Sequence, residues 1–223
     1  HLTLLAQNNA GYKNLMKLVS KANLEGYYYK PRMDLDLLRE HAEGIICLSG
    51  CPASRFITHI KNGNKEEAKQ LLLTYIDIFG KEDVYIEVMY HSEIDWYIPL
   101  IGDIIAIAQE LELPIVGTWD SHYLHKDDAE AHDTLVAINT GVEVGNNKIS
   151  MKAGDYSFIS PDEAREVFKD IPGAVDNTVL LADRVDIEIE LAPWRFPTYP
   201  IPEGTTYDEE LRKAAFEGMK HIE

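Results

Sequence analysis

Cysteine is scarce in this chain: Cys47 and Cys51 are the only two among 223 residues. A secreted fold stapled by several disulfides is thereby excluded, and a reducing compartment, the cytoplasm, is the expectation. Positive charge is also short, with 21 Lys and Arg against 38 Asp and Glu and a net charge of −17. So acidic a surface repels phosphate backbones in general and tolerates divalent cations well. No apolar run reaches the roughly 18 residues that a membrane helix needs, so no membrane partner is expected. The opening residues do not read as a secretory signal. Phosphate-cradling glycine patterns are missing, with neither G-x-G-x-x-G nor G-x-x-x-x-G-K-[ST] present. There is no G-x-S-x-G elbow and no paired-cysteine zinc module.

What is present supports a packed α/β protein. Hydrophobic residues make up 45% of the chain, enough for a sizeable core. "HLTLLAQ" enters a strand at once and without Met, which reads as a piece of a longer chain with some neighbours of its elements missing. Strand and helix patterns then alternate. "LTLLA", "EGIICLSG", "DVYIEVMYH" and "LPIVGTWD" read as four strands. "AGYKNLMKLVSKA" carries Tyr12, Leu15, Met16, Val19 and Ala22 on one helical face, and a Tyr- and Gly-rich loop, "LEGYYYKPRMD", follows it. "NKEEAKQLLLTYIDIFG" shows a stripe of Ala68, Leu71, Leu72, Tyr75, Ile76 and Phe79, with Asn64 as its N-cap. Tyr12 and Tyr75 are expected in the core. Gly141 stops a helix that begins near His125. After a Gly-, Asn- and Lys-rich loop, "SPDEAREVFKD" shows a capping box of Ser160 and Glu163 with Pro161 at the first helical position. "PWRFPTYPIPEGTT" reads as an extended linker, and a last amphipathic helix follows over about 207–222. Strands separated by helices predict a parallel sheet or a sector of a barrel.

The chemistry-bearing residues gather where the strands finish, the usual place for functional side chains in parallel α/β folds. The second strand leads to Cys51, the third to Glu87 and His91, and the fourth to Asp120 and His122. His1 stands at the mouth of the first. Carboxylate, imidazole and thiol are the donor types for zinc or a similar cation. Spacing alone leaves the alternatives open: a D-x-H pair is often solvated surface, Cys51 is equally a small residue at a glycine turn, and Glu87 with His91 is equally an ordinary pair. Cys47, between Ile46 and Leu48, reads as core. His41, His59, His125, His132 and His221 read as helix or cap residues.

"HLTLLAQNNAGYKNLMKLVSKA", "EGYYYKPRMD", "GIICLSGC" and "IVGTWDSHY" together resemble the PHP (polymerase and histidinol phosphatase) domain of the bacterial DNA polymerase III α-subunit family. "YSFISPDEAREVF", "IPGAVDNTVLLADRVDIEI" and "FPTYPIPEGTTYDEELRKAAFEGM" continue the resemblance in order, over essentially the whole chain. It implies an α/β fold: a partial (β/α)7-type PHP barrel lacking its N-terminal strands, followed by a Pro-rich linker and a helix. The implied domains are 1–192 for the C-terminal part of the PHP domain, 193–206 for the linker and 207–223 for a helix leading towards the polymerase palm.

By position, the resemblance makes His1, Cys51, Asp120 and His122 metal ligands, with Glu87 and His91 as pocket residues. The family's opening H-x-H and its further Asp, His and Glu ligands lie upstream of His1, so four donors spread over two or three cations leave each underliganded. The implied cofactors are zinc or manganese in the parent site and magnesium for the parent polymerase. The implied parent activity is DNA-directed DNA polymerisation, a nucleotidyl transfer, with 3′–5′ proofreading by the PHP site. The fragment alone is expected to be inactive, with weak or empty metal positions and an open edge prone to self-association. Expected partners are the rest of the α subunit and, through it, DNA and replisome subunits. A non-catalytic reading is a module that braces the polymerase and docks a separate proofreading exonuclease.

Overall fold

The computed structural model describes residues 1–91, 93–145, 154–194 and 196–221. Most of the Gly-, Asn- and Lys-rich loop expected after Gly141 lies outside the described residues. The chain divides into two compact units, His1–Glu188 and Ile189–Glu223.

In the first unit, four strands form one sheet in the order β1 (Thr3–Ala6), β2 (Ile45–Leu48), β3 (Val84–Met89), β4 (Ile115–Thr118). The expected strands are all present, but the sheet is mixed. β2, β3 and β4 are parallel neighbours, whereas β1 runs antiparallel to β2, with Thr3 opposite Leu48 and Ala6 opposite Ile45. The expectation of a parallel sheet is corrected at this strand.

The connection between β1 and β2 supplies the physical reason. A parallel crossover must return the chain to the start of the previous strand. Here α1 (Asn9–Leu24) carries the chain out by about 24 Å at 1.5 Å per residue, and the following loop and α2 (Leu35–Glu40) bring it back to the end of β1. Gln7 N–H donates to Gly44 O at 2.8 Å and closes that return.

α1 is anchored by glycine. A Cβ on Gly11 would lie 1.8 Å from Gly44 O, so the helix backbone rests directly on the turn before β2. Asn8 caps the helix, its side-chain oxygen accepting from the backbone N–H groups of Ala10 and Gly11. The buried face runs through Gly11, Leu18 and Ala22, with Leu15 packed beside the core. Tyr12, Met16 and Val19 are exposed, which corrects the helical face read from hydrophobicity and the core assignment of Tyr12. Gly11 has no side chain to register in a hydrophobic pattern, yet it decides which face turns inward.

The sheet's two faces differ. Cys47, Val84, Ile86 and Val88 face a large core shared with α3 (Arg55–Lys61), α4 (Lys65–Phe79) and α5 (Ile101–Glu110). The stripe expected on α4 is buried there, including Tyr75, with Ile76 partly buried against it. Ile46, Leu48, Tyr85 and Val116 face a thin second layer with Leu181 of α8 (Asp176–Asp183). α6 (Ala129–Thr140) ends at Gly141 in the left-handed conformation. α7 (Pro161–Val167) opens with the full Ser160–Glu163 capping box. Asn64 stands at the N-cap of α4 but makes no side-chain capping bond.

The second unit holds the Pro-rich segment and α9 (Tyr207–Met219), which Thr206 and Glu209 cap reciprocally. Trp194 and Phe196 stack with ring centroids 6.2 Å apart.

Alanine normally stabilises a helix by about 1 kcal/mol over glycine. Gly11→Ala should do the reverse, because its methyl group meets backbone that has no freedom to swing aside. The expected result is a lower thermal midpoint, by about 2–4 °C per kcal/mol lost, with the same far-UV circular dichroism. A midpoint at or above the parent's would refute the glycine contact.

Candidate functional site

The site is built at the end of the sheet where β2, β3 and β4 finish. Because β1 is reversed, its start lies at that same end. β1 therefore delivers His1 to the rim by its first residues, while the other strands deliver their side chains by their last.

Glu87 is the organising group. Successive residues of β3 point to opposite faces, so Glu87 shares the thin-layer face with Tyr85 while Val84, Ile86 and Val88 line the main core. Its carboxylate is buried and fully used. Thr3 donates its hydroxyl to Oε2 at 2.8 Å, and Thr118 donates to Oε1 at 2.9 Å. The Glu87 N–H donates to Ser49 Oγ at 3.0 Å. One residue thus holds the first strand, the turn after the second, its own strand and the end of the fourth. Burial, and secondarily the charge of Glu87, push the Cys47 thiol far above its ordinary value, so Cys47 is an inert core residue.

Beyond this brace stand the four donors. His1 lies two residues before Thr3, and its Nδ1 is 3.3 Å from Cys51 Sγ. Asp120 lies two residues after Thr118, and its Oδ1 is 3.1 Å from His122 Nε2. The structure brings these residues together as two pairs.

A second network flanks the D-x-H turn. His91 Nδ1 lies 2.8 Å from Glu93 Oε1, and the Tyr156 hydroxyl donates to the same oxygen at 2.5 Å. The Tyr156 ring packs against His91 and His122, and its carbonyl accepts from the His122 N–H at 2.8 Å. Trp119 Nε1 donates to Ser157 O at 2.8 Å. The 156–157 segment is therefore a strap over the turn that presents Asp120 and His122. Burial alone would raise the Glu93 carboxyl, but hydrogen bonds from Tyr156, its own backbone and His91 outweigh it and hold the group below the ordinary carboxylate range. Burial together with the Glu93 carboxylate pushes the Tyr156 phenol far upward, so it stays a proton donor.

His132, read from the sequence as a helix residue, sits with its ring 5.4 Å from that of His122, and its buried Nδ1 has no hydrogen-bond partner among the described residues. Tyr156 opens the segment "YSFISPDEAREVF", but its bond to Glu93 joins residues 63 apart, a pairing that sequence spacing does not reveal. His91 is buried in this network, and Glu87 is a brace between strands.

The donor types suit zinc or a similar borderline ion, and a closed zinc site needs about four of them. Among the described residues no three His, Cys, Asp or Glu side chains are grouped to hold a metal ion. Two donors at each of two places leave a coordination shell open, so these residues alone do not make a complete metal site.

Comparison with known proteins gives the class first. The family model for the PHP domain matches residues 1–91, which hold His1, Cys51, Glu87 and His91. The relatives then narrow it. The chain is 38% identical over 223 residues, 99% of its length, to the DNA polymerase III subunit alpha of Borreliella burgdorferi. It is 41% identical over 192 residues, 83% of its length, to the subunit of that name from Saccharopolyspora erythraea. With that of Deinococcus radiodurans it shares 37% identity over 227 aligned positions, 98% of its length. The chain belongs to the PHP-domain family of these α subunits. It spans under a fifth of their length: 19%, 16% and 17% respectively.

Two outcomes are expected. Glu87→Ala strands two threonine hydroxyls and should lower the unfolding free energy by about 2 kcal/mol or more in a urea titration, with Glu87→Gln recovering part of the loss. An unchanged midpoint in Glu87→Ala would remove the brace from the account. For Glu93, a depressed folded-state pKa means stability present above the unfolded value of about 4.5 and lost as pH falls through the folded one. The gap in thermal midpoint between the parent and Glu93→Gln should therefore be widest near neutral pH and close under acid conditions. A gap that does not vary with pH contradicts the network.

Proposed function

We propose that this chain is the PHP-domain portion of the catalytic α subunit of a bacterial replicative DNA polymerase, working in the cytoplasm. Its rim donors are parts of a divalent-cation site that other residues of a longer polypeptide complete. In that reading the domain is a sector of a larger barrel, with Ile189–Glu223 leading towards the polymerase palm. The observation that carries the cation reading is the approach of His1 to Cys51, an imidazole and a thiol that a reversed strand brings to the same end as Asp120 and His122. Thiol and imidazole at a rim shared with an Asp–His pair form a ligand set rather than a surface ion pair.

A bound cation there would supply activated water for hydrolysis at a DNA 3′ end. This chain's own residues would hold and orient: Tyr156 and Ser157 fix the turn that carries Asp120 and His122, and Glu87 fixes its height relative to His1. DNA polymerisation itself, its magnesium ions, and contacts with DNA and replisome subunits belong to the longer polypeptide. A second reading, a brace that docks a separate proofreading exonuclease, is favoured by one observation: two donor pairs with no third member among the described residues.

Metal analysis and a primer-degradation assay separate the two. The 223-residue chain should retain substoichiometric zinc or manganese and degrade no primer. A polypeptide of the relatives' length should retain more metal and lose it on Asp120→Asn or Cys51→Ser. Full tetrahedral occupancy in the 223-residue chain, or primer hydrolysis by it that Asp120→Asn abolishes, would overturn the proposal. Metal content indifferent to both substitutions in the longer protein would leave the docking role.

A further inference from the structure

The strongest feature that the rim does not use is the loop between α1 and α2. Residues 27–34 are exposed without interruption. Three consecutive tyrosines, Tyr27, Tyr28 and Tyr29, are 63%, 64% and 81% exposed. A connection between helices needs no aromatic rings, and three large ones held in water are an unusual surface.

The loop is built as a finger with a closed neck. Arg32 N–H donates to Gly26 O at 3.2 Å, and a Cβ on Gly26 would lie 2.0 Å from Arg32 O, so the two sides of the neck touch through backbone. Further out, Tyr28 N–H donates to Lys30 O at 3.1 Å. Tyr29 takes the left-handed conformation at φ 60°, which a bulky residue adopts only when its surroundings impose it. The tip therefore has a defined shape. Tyr28 and Tyr29 meet edge to face at 4.6 Å, and the Arg32 guanidinium lies over the Tyr28 ring at 5.3 Å.

Charge around the finger runs against that of the whole chain. Residues 1–33 contain five cations, Lys13, Lys17, Lys21, Lys30 and Arg32, and one acid, Glu25, in a protein of net charge −17. Lys13, Lys17 and Lys21 recur every four residues on α1, which sets them on one side of the helix leading into the finger. Lys21 and Arg32 line one groove of about 510 Å³ with Glu25, Asp34, Asp36 and Glu40. Those four acids make the groove a poor phosphate pocket. The rings at the tip and the flanking cations are what a ligand would meet.

We propose that this finger is a binding surface for single-stranded nucleic acid, with bases stacking on the exposed tyrosines and the backbone phosphates tracking Lys30, Arg32 and the α1 lysines. Aromatic rings beside cations are the general chemistry of single-strand recognition, because every base offers a π-face and every nucleotide a charge. A duplex keeps its bases stacked on one another and offers the rings nothing. An acidic peptide offers charge without the stacking. The inference goes beyond the polymerase-fragment reading and does not require a cation at the rim, so either can fail alone.

The test uses the 223-residue chain and a fluorescent oligo-dT of about 12 nucleotides, followed by anisotropy at low salt. The expected result is saturable binding that exceeds binding to the matching duplex. Tyr28→Ala should weaken it by about tenfold while Tyr28→Phe retains it, because stacking needs the ring and not the hydroxyl. Lys30→Ala with Arg32→Ala should flatten the dependence of log affinity on log salt by about 0.7 per cation removed. The rings are exposed, so circular dichroism should be unchanged in these variants. Absence of binding at low salt overturns the proposal. So does equal binding of the duplex, full competition by polyglutamate, or an affinity indifferent to Tyr28→Ala; the second of these would make the finger a surface for acidic peptides.

Discussion

The buried carboxylate of Glu87 is the interaction on which the rest of the rim depends. A carboxylate taken out of water costs several kcal/mol unless its oxygens are hydrogen-bonded. Here each oxygen has a threonine hydroxyl, one from β1 and one from β4, while the backbone N–H of the same residue reaches the turn after β2. The arrangement needs β1 to be antiparallel, since only then does Thr3 lie at the end of the sheet where Thr118 lies. Once the two threonines are fixed, His1 and Asp120 are fixed as well, each two residues further out. The geometry of the candidate ligands is thus inherited from a hydrogen-bonded brace that ligates nothing itself.

The same brace explains how an acidic protein can concentrate further polar groups at one edge without falling apart. The rim groups are arranged as donor–acceptor pairs: His1 with Cys51, Asp120 with His122, Glu93 with Tyr156 and His91. Similarity to DNA polymerase III α subunits over 83–99% of the chain gives this edge its context.

Much of this was legible in the sequence, for identifiable reasons. Strand ends were marked by "SGC" and "WDSHY", and helix starts by Ser160 with Glu163, because caps and strand termini are local chemistry. The direction of β1 was not legible. It is set by an excursion of two helices whose return point depends on the contact of Gly11 with Gly44, and glycine leaves no mark in a hydrophobic pattern. The same contact turned Tyr12, Met16 and Val19 outward against their apolar character. The bond of Glu93 with Tyr156 and the ring contact of His132 with His122 were hidden because they join distant segments through single side chains with no characteristic spacing.

The reversal of β1 also has a practical side. Residue His1 sits beside Cys51, so whatever is fused ahead of it must leave the molecule through the candidate ligand edge. A polyhistidine purification tag placed there would carry its own imidazoles to within reach of a thiol and an Asp–His pair, and would create a chelator that the protein does not encode. Metal bound by such a preparation would report the handle rather than the protein.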